Sequence, residues 1–438
     1  MNLKLRLTIT QFLQFFIWGS WLISFGKYMS SLNMGDYIGT LFATAGIASF
    51  IMPAIVGIIA DRWINSERLL GILHLLGAGC LFIASLAASG TETFLASEAS
   101  KIMEADELKK VIGTEFNSLY ICMFFNALVF MPTIGLSYSV CYSVMAKNKM
   151  NTVKDFPPIR VWGTVGFIIA MWIVDIAGWG TSSNQLLMAS CAALFLGMYS
   201  FTLPPSPPAK AKKGSSLIAT LGLDALVLLK EKKMAVFFLF AVLLGVCLQI
   251  TNSYGSTFIG SFAFDFPDSF AIKYNNIFLS ISQIAEALFI LAIPFFMRKF
   301  GIKTVMLMSF GAWILRFGLF GIGDAGNGLI WLTASMIIYG MAFDFFNISG
   351  SLFIEKETPS KFRASAQGML MMVTNGLGAI IGNYGAQTVI NRYTTETAGV
   401  KTTDWTSCWF IFAAYALVIG ILFAIFFNYK RQPEKQKI

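Results

Sequence analysis

Long apolar stretches alternate with short polar breaks along the whole chain. Each stretch is long enough for a membrane-spanning helix, which needs about 20 mostly apolar residues. The pattern therefore predicts an all-α polytopic membrane protein with twelve transmembrane helices. The predicted spans are 8–31, 37–60, 69–89, 117–145, 158–178, 184–203, 234–262, 275–296, 303–322, 329–353, 364–390 and 404–428.

The longest polar break separates six spans from the next six. It begins PPSPPAKAKKG, and its prolines favour a stiff, extended linker. We therefore expect a six-helix half at 1–203, a cytoplasmic linker at 204–233 and a second half at 234–438. The other long loop, about 90–116, is acidic, and its segment ASEASKIMEADELKKVIG predicts a short helix.

Composition agrees with lipid as the solvent. Of the 438 residues, 56% are hydrophobic and 13% are charged, whereas soluble proteins carry about 25% charged residues. This excludes a soluble enzyme, a disordered protein and a secreted disulfide scaffold. The six cysteines have no metal-binding spacing, and the single histidine, His74, is predicted to lie at a helix end; no metal site is expected.

The net charge of +9 is a topology signal. Most Lys and Arg residues fall on the side that holds both termini, which predicts cytoplasmic termini because cytoplasmic loops are rich in these residues. No nucleic-acid partner is expected. The predicted opposite side holds only Lys27, Lys101, Lys109, Lys110, Lys273, Arg392 and Lys401.

Polar side chains inside spans are costly and usually face a cavity. In the fifth span, Arg160, Thr164 and Phe167 share one helix face at i, i+4 and i+7. Such a face suits a binding cavity. The alternative is that Arg160 reaches the cytoplasmic surface and pairs with Asp155.

The seventh and eighth spans each carry a polar pair at i and i+3. Gln249 and Asn252 offer two amides for a polar neutral solute, or they pair with amides of other helices. Gln283 and Glu286 follow in the next span. Glu286 is a candidate proton carrier, or it forms a structural salt bridge with Arg316.

The tenth span places Asp344 in its middle, beside the aromatic residues Tyr339 and Phe343. Aromatic faces next to amides and a carboxylate suit a flat heterocycle attached to a polyol. Taken alone, the aromatics fit ordinary core packing. The same helix face carries a stripe of small and polar residues: Gly340, Asp344, Asn347 and Ser351.

Other chemistry has little support in the sequence. No GxxxxGK[ST] loop for ATP is present, and neither GxSxG nor HExxH occurs. A membrane-embedded transferase that uses Asp344 and Glu286 as acid and base is disfavoured. Such an enzyme normally needs a metal or phosphate-binding cluster as well.

The layout of six plus six spans resembles the major facilitator superfamily. The segment GIIADR at 57–62 resembles the superfamily's G-x-x-x-D-R loop. That resemblance implies that Asp61 and Arg62 act as a conformational latch between helices.

Longer strings resemble the bacterial nucleoside:proton symporters of this superfamily, of the nucleoside permease G type. They include FLQFFIWGSWL, FMPTIGL, DFPPIRVWGTVGFIIAMW, LQITN, SISQIAEALFILAIPFF, AWILRFGLF, YGMAFDFFNISGS and RASAQGM. The acidic loop at 90–116 departs from the resemblance because it looks longer. The resemblance implies a nucleoside site at Arg160, Thr164, Phe167, Gln249, Asn252, Gln283, Glu286, Tyr339 and Phe343.

The expected function is proton-coupled nucleoside uptake by alternating access across the bacterial cytoplasmic (inner) membrane. Asp344 is the first choice for the proton-coupling group and Glu286 the second. The proton is the coupling ion, with no cofactor. The expected substrates are nucleosides such as uridine and adenosine, and the expected state is a monomer in the lipid bilayer. A sugar:proton symporter and a transport-inactive nucleoside sensor remain alternatives.

Overall fold

The computed structural model describes residues 2–208, 223–359, 362–397 and 400–429, and helices dominate these ranges. Within them, nine helices are long and apolar enough to cross a membrane, judged by length and composition. This confirms an all-helical polytopic protein. The middle of the predicted linker, residues 209–222, lies outside the described residues.

The helices before residue 204 are called the first group here. Their bounds are α1 (Leu3–Gly19), α2 (Phe25–Ser31), α3 (Ile38–Arg62), α4 (Ser66–Ala96), α5 (Glu98–Ile102), α6 (Ala105–Lys147), α7 (Thr152–Ile176) and α8 (Asn184–Ser200), with a 3-10 turn at Gly35–Tyr37. In this group α1 packs on α7, and α4 packs between α6 and α8.

The elements after residue 222 are called the second group. A 3-10 helix at Leu223–Lys230 precedes α9 (Lys232–Gly260), and a 3-10 turn at Ser261–Ala263 follows it. The remaining elements are α10 (Phe270–Lys273), α11 (Asn275–Phe300), α12 (Ile302–Ile322), α13 (Leu329–Ala342), α14 (Asp344–Glu357), α15 (Arg363–Met372), a π-helical turn (Val373–Leu377), α16 (Gly378–Arg392), the antiparallel hairpin β1 (Thr394–Thr397) with β2 (Val400–Thr403), and α17 (Trp405–Phe426).

Several predicted spans are interrupted or extended in the structure. The first span is divided into α1 and α2, the tenth into α13 and α14, and the eleventh contains the π-helical turn. Helix α6, which contains the fourth predicted span, begins at Ala105 and takes in the second part of the helix predicted in the acidic loop, whose first part forms α5.

His74 is a correction to the sequence analysis. It lies inside α4, is 2% exposed, and its Nε2 is 2.8 Å from Oε1 of Gln14. The amide of Gln14 in turn donates to the hydroxyl of Thr133 at 2.8 Å. His74 therefore belongs to a buried hydrogen-bond network that joins α1, α4 and α6, and it does not mark a helix end.

Polar contacts join the two groups at one end of the bundle, called the distal face here, where α3 and α11 begin. The backbone N–H of Ile277 donates to Asp175 Oδ2 at 2.7 Å, and Trp172 Nε1 donates to Ser280 Oγ at 2.9 Å. These bonds link α7 to α11.

Two further bonds at the distal face link the start of α3 to the end of the second group. The backbone N–H of Thr40 donates to Gln387 Oε1 at 2.8 Å, and Lys401 pairs with Asp36 at 2.5 Å. At the opposite end, by contrast, Lys4 pairs with Asp155 inside the first group, at 2.6 Å. The joining contacts described here therefore hold the groups together at the distal face.

Candidate functional site

A one-residue irregularity at Phe343 separates α13 from α14, directly before Asp344. α13 ends at Ala342 and α14 begins at Asp344. The hydroxyl of Ser309 donates a hydrogen bond to the carbonyl oxygen of Ala342, the last residue of α13. This bond gives a carbonyl oxygen at the end of α13 a hydrogen-bond partner. Because the backbone at Phe343 stays helical (φ −88°, ψ −49°), α13 and α14 follow one path and place Asp344 in the middle of it.

Glu286 lies beside Asp344 because α11 and α13 approach each other closely. A Cβ atom at Gly340 would lie 2.6 Å from the backbone oxygen of Ala285, so glycine permits this crossing. The Glu286 and Asp344 side chains contact each other, with Glu286 half-buried and Asp344 8% exposed. Two carboxyl groups in contact repel when both are ionised, so such a pair favours holding one proton.

The guanidinium of Arg160, on α7, lies close enough to interact electrostatically with both carboxyl groups of this pair. Its Nε donates to the hydroxyl of Tyr138 at 2.6 Å, and its guanidinium carbon lies 4.1 Å from the ring centroid of Phe15. Asp155 pairs with Lys4 instead. The alternative in which Arg160 pairs with Asp155 is therefore wrong for this structure.

Tyr339 connects the carboxyl pair to a buried arginine. Its side chain is 5% exposed, and its hydroxyl lies close to the side chain of Gln283. The guanidinium carbon of Arg316 lies 4.4 Å from the Tyr339 ring centroid, and Arg316 Nη1 donates to the carbonyl oxygen of Ser335 at 2.9 Å. Among the described residues Arg316 forms no ion pair with Glu286, so the salt-bridge alternative is not observed.

The two amides of α9 are available for a ligand. Gln249 and Asn252 are both half-buried. In the part of the chain that the structure describes, neither side chain forms a hydrogen bond with another residue, and the pairing of amides between helices is not observed. An unpaired amide offers both a donor and an acceptor.

Aromatic side chains line α1 and α7. Phe167 is 8% exposed and meets the Trp18 ring edge-on, with centroids 6.4 Å apart and planes at 88°. Thr164 and Phe343 are half-buried. Sequence analysis did not single out Phe15, Trp18 or Tyr138. The i, i+3 spacing of Phe15 and Trp18, which puts both on one face of the first span, was the available signal.

Asp61 and Arg62 lie apart from this cluster. Both are exposed residues at the end of α3, and neither forms an ion pair within the described ranges. Their role as a latch stays a prediction.

Comparison with known proteins identifies the family. The family profile described as "Nucleoside H+ symporter" matches residues 1–98 and 108–432. The chain belongs to this nucleoside:proton symporter family. Residues 99–107, which the profile leaves out, fall in the acidic loop where the sequence already departs from the resemblance.

This chain is similar to two permeases and to one solved transporter structure. Xanthosine permease of Escherichia coli (strain K12) is 47% identical over 442 residues, covering 100% of this chain and 99% of the permease. Nucleoside permease NupG of the same organism is 44% identical over 435 residues, covering 98% and 97%. A crystal structure of a mutant of nucleoside transporter NupG has a TM-score of 0.87 at 43% identity, covering 98% of this chain and 100% of that chain.

Membership of the symporter family confirms the resemblance drawn from the sequence. The protein is a multi-pass membrane transporter, and proton-coupled nucleoside uptake is the function that its family and its close relatives support. The relatives are permeases, so the transferase alternative is set aside.

Proposed function

We propose that this chain is a secondary active transporter that carries a nucleoside and a proton inward together. The observation that carries the proposal is the contact between Glu286 and Asp344 inside a spanning region, in a member of a nucleoside:proton symporter family. The proton serves as the coupling ion, and we propose no other cofactor.

The proposed nucleoside site combines amides, aromatics and hydroxyl-binding groups. The amides bind the polar edges of the base, the phenylalanines cover its faces, and Tyr339 and Glu286 reach the ribose hydroxyls. Its residues are Arg160, Thr164, Phe167, Gln249, Asn252, Gln283, Glu286, Tyr339 and Phe343. Uridine, adenosine and, in view of the xanthosine permease relative, xanthosine are the substrates to test.

Asp344 is the proposed proton carrier, with Glu286 as the second choice. Protonation removes a negative charge that would otherwise resist closure around a neutral solute. When the proton leaves, the guanidinium of Arg160 compensates part of the negative charge that remains. Loss of the proton on the inner side would then favour release of the nucleoside.

The proposed topology has twelve crossings, with the halves 1–203 and 234–438 joined by a cytoplasmic linker at 204–233. Both termini lie in the cytoplasm of a bacterial cell, and the protein works as a monomer in the cytoplasmic membrane. The distal face then points outward. Its joining contacts support an inward-facing state, closed outside by the bonds of Asp175 and Gln387.

The membrane potential supplies enough energy for accumulation. One proton that moves through 100 mV releases about 2.3 kcal/mol. Since about 1.4 kcal/mol corresponds to a tenfold ratio, this drives roughly fifty-fold accumulation of a nucleoside. A pH gradient adds to that figure.

The first test replaces the proton carrier. In proteoliposomes with an inward proton gradient, Asp344→Asn is expected to abolish gradient-driven accumulation of labelled uridine and adenosine, because the amide cannot cycle a proton. Binding and exchange of nucleosides persist. Asp265→Asn, at an exposed residue of the loop after α9, is the matched control and keeps full accumulation.

The results also separate the alternatives. Full coupling in Asp344→Asn contradicts its role as the carrier and moves the test to Glu286→Gln. Stronger competition by free ribose than by nucleosides favours a sugar symporter. Nucleoside binding without any exchange favours a transport-inactive sensor.

A further inference from the structure

An open cavity lies at the distal face, and neither residue of the carboxyl pair lines it. It has a volume of about 940 Å³ and lies between the start of α3, the beginning of α6, the end of α16 and the β hairpin. Both groups of helices therefore contribute to its walls. Its size is in the range of small-molecule sites.

The contacts that close the distal face also form part of this cavity. Asp36 and Lys401 line it and pair with each other at 2.5 Å, and Thr40 and Gln387 line it and share their hydrogen bond. A ligand that touches both walls therefore binds best while these contacts are in place. By linkage, such a ligand stabilises the closed distal face.

The cavity offers an aromatic surface and two unpaired lysines among the described residues, and the acidic residue Glu396 also lines it. The Tyr37 ring stacks on Phe116, with centroids 4.4 Å apart and planes at 17°. Lys109 and Lys110 line the wall formed by α6, and neither forms an ion pair among the described residues. Lys401, in contrast, is neutralised by Asp36.

The two lysines come directly after a segment in which this chain departs from its family profile. The family profile omits residues 99–107, immediately before Lys109 and Lys110. Helix α6 begins inside that omitted segment, at Ala105, and carries both lysines to the cavity.

We propose that this distal cavity binds a nucleoside 5′-phosphate, which inhibits uptake from outside and is not transported. The base stacks on Tyr37, and the phosphate binds Lys109 and Lys110. The ligand is not transported because the cavity that holds it contains no residue of the proposed nucleoside site. This inference rests on the proposed function, since it names a regulator of the same transporter.

The experiment adds AMP to the outside of proteoliposomes that accumulate labelled uridine. AMP is expected to lower the maximal uptake rate severalfold without changing the KM for uridine. The double variant Lys109→Ala/Lys110→Ala is expected to lose this inhibition and to keep its uptake rate without AMP. Lys101→Ala is the matched control, because Lys101 lies in the same loop and pairs with Glu98 at 2.7 Å; it stays inhibited.

A second measurement is independent of transport. Labelled AMP should bind the purified protein, and the double lysine variant should bind it at least tenfold more weakly. Absence of AMP binding, or inhibition that persists in the double variant, overturns the proposal. Inhibition that raises only the KM also overturns the proposal, because it places AMP in the central site. Equal inhibition by inorganic phosphate overturns it too, because the aromatic surface would then have no role. Absence of uridine uptake without AMP instead counts against the proposed function.

Discussion

Buried polar side chains carry the chemistry of this protein at the scale of single residues. Arg316 is 3% exposed in a spanning helix, and its Nε has no hydrogen-bond partner among the described residues. Charged groups are rare in such positions because burial in the membrane costs free energy. The contact of Arg316 with Tyr339 offers a functional reason for this buried charge, because it holds in position a ring of the proposed nucleoside site.

Replacement of Arg316 should therefore weaken nucleoside binding. We expect Arg316→Met to raise the KM for uridine about tenfold, which corresponds to about 1.4 kcal/mol, within reach of a desolvated cation–π contact and its hydrogen bond. Arg316→Lys should recover only part of the loss, because an ammonium group lacks the planar fork of a guanidinium. Initial rates of uptake over a range of uridine concentrations provide the measurement.

Leu315→Met, one position earlier in α12, is the matched control because Leu315 is an exposed residue. An unchanged KM in Arg316→Met would contradict a role for Arg316 in positioning the tyrosine.

The sequence reveals polar site residues well and aromatic ones poorly. Glu286 and Asp344 stand out because a carboxylate inside an apolar stretch is rare. Phe15 and Tyr138 do not stand out, because aromatic residues make up 15% of the chain and an additional one carries little information. Their contact with Arg160 depends on the packing of α1 and α6 against α7, which no local pattern encodes.

At the scale of elements, the important features are helix ends inside spans. Hydropathy predicts the tenth and eleventh spans as continuous, because it reports the side chains and not the backbone angles. The structure interrupts the tenth at Phe343 and inserts a π-helical turn at Val373–Leu377 in the eleventh. The acidic loop was expected to contain a short helix, and the structure has one there, α5, followed by the start of α6 at Ala105.

Helix α11 receives part of its N-terminal capping from the other group of helices. Asp175 of α7 accepts the backbone N–H of Ile277 in the first turn of α11. A carboxylate at a helix start stabilises it by hydrogen bonding and by its charge. We expect Asp175→Ala to destabilise the closed distal face by about 1 to 2 kcal/mol. The equilibrium between the closed and open states then shifts roughly tenfold toward the open state.

This shift is measured with Asn252→Cys in a variant whose six native cysteines are replaced by serine. A membrane-impermeant thiol reagent added from the distal side should label this cysteine faster when Asp175 is alanine. Asp175→Asn should remain close to the parent rate, because an amide oxygen also accepts the N–H. Equal labelling rates in all three proteins would show that this bond does not hold the distal face closed.

At the scale of the whole molecule, the two groups meet through backbone contacts that require glycine. A Cβ atom at Gly26 would overlap the backbone oxygen of Ser253, which belongs to α9 of the second group. This contact between distant parts of the chain could not be predicted from the sequence, since a glycine in an apolar stretch has several explanations.

Gly26→Ala should therefore prevent complete closure at the distal face and reduce uridine uptake at least tenfold, because alternating access needs both end states. Gly79→Ala is the matched control, with no heavy atom within 4 Å of its added methyl group. Uptake in proteoliposomes measures the effect, and a monodisperse size-exclusion profile shows that each variant is folded. Normal uptake by Gly26→Ala would contradict this account of closure.

The length of α6 has a consequence for the position of the distal surface relative to the lipid. The helix contains 43 residues, and at about 1.5 Å per residue it is roughly 65 Å long. A bilayer with its headgroups is only about 40 to 45 Å thick. If its end at Lys147 lies near the headgroups of one leaflet, about 20 Å of the helix extends beyond the headgroups on the distal side. A solute that approaches from the distal side therefore contacts this projecting part of the protein before it reaches the plane of the membrane.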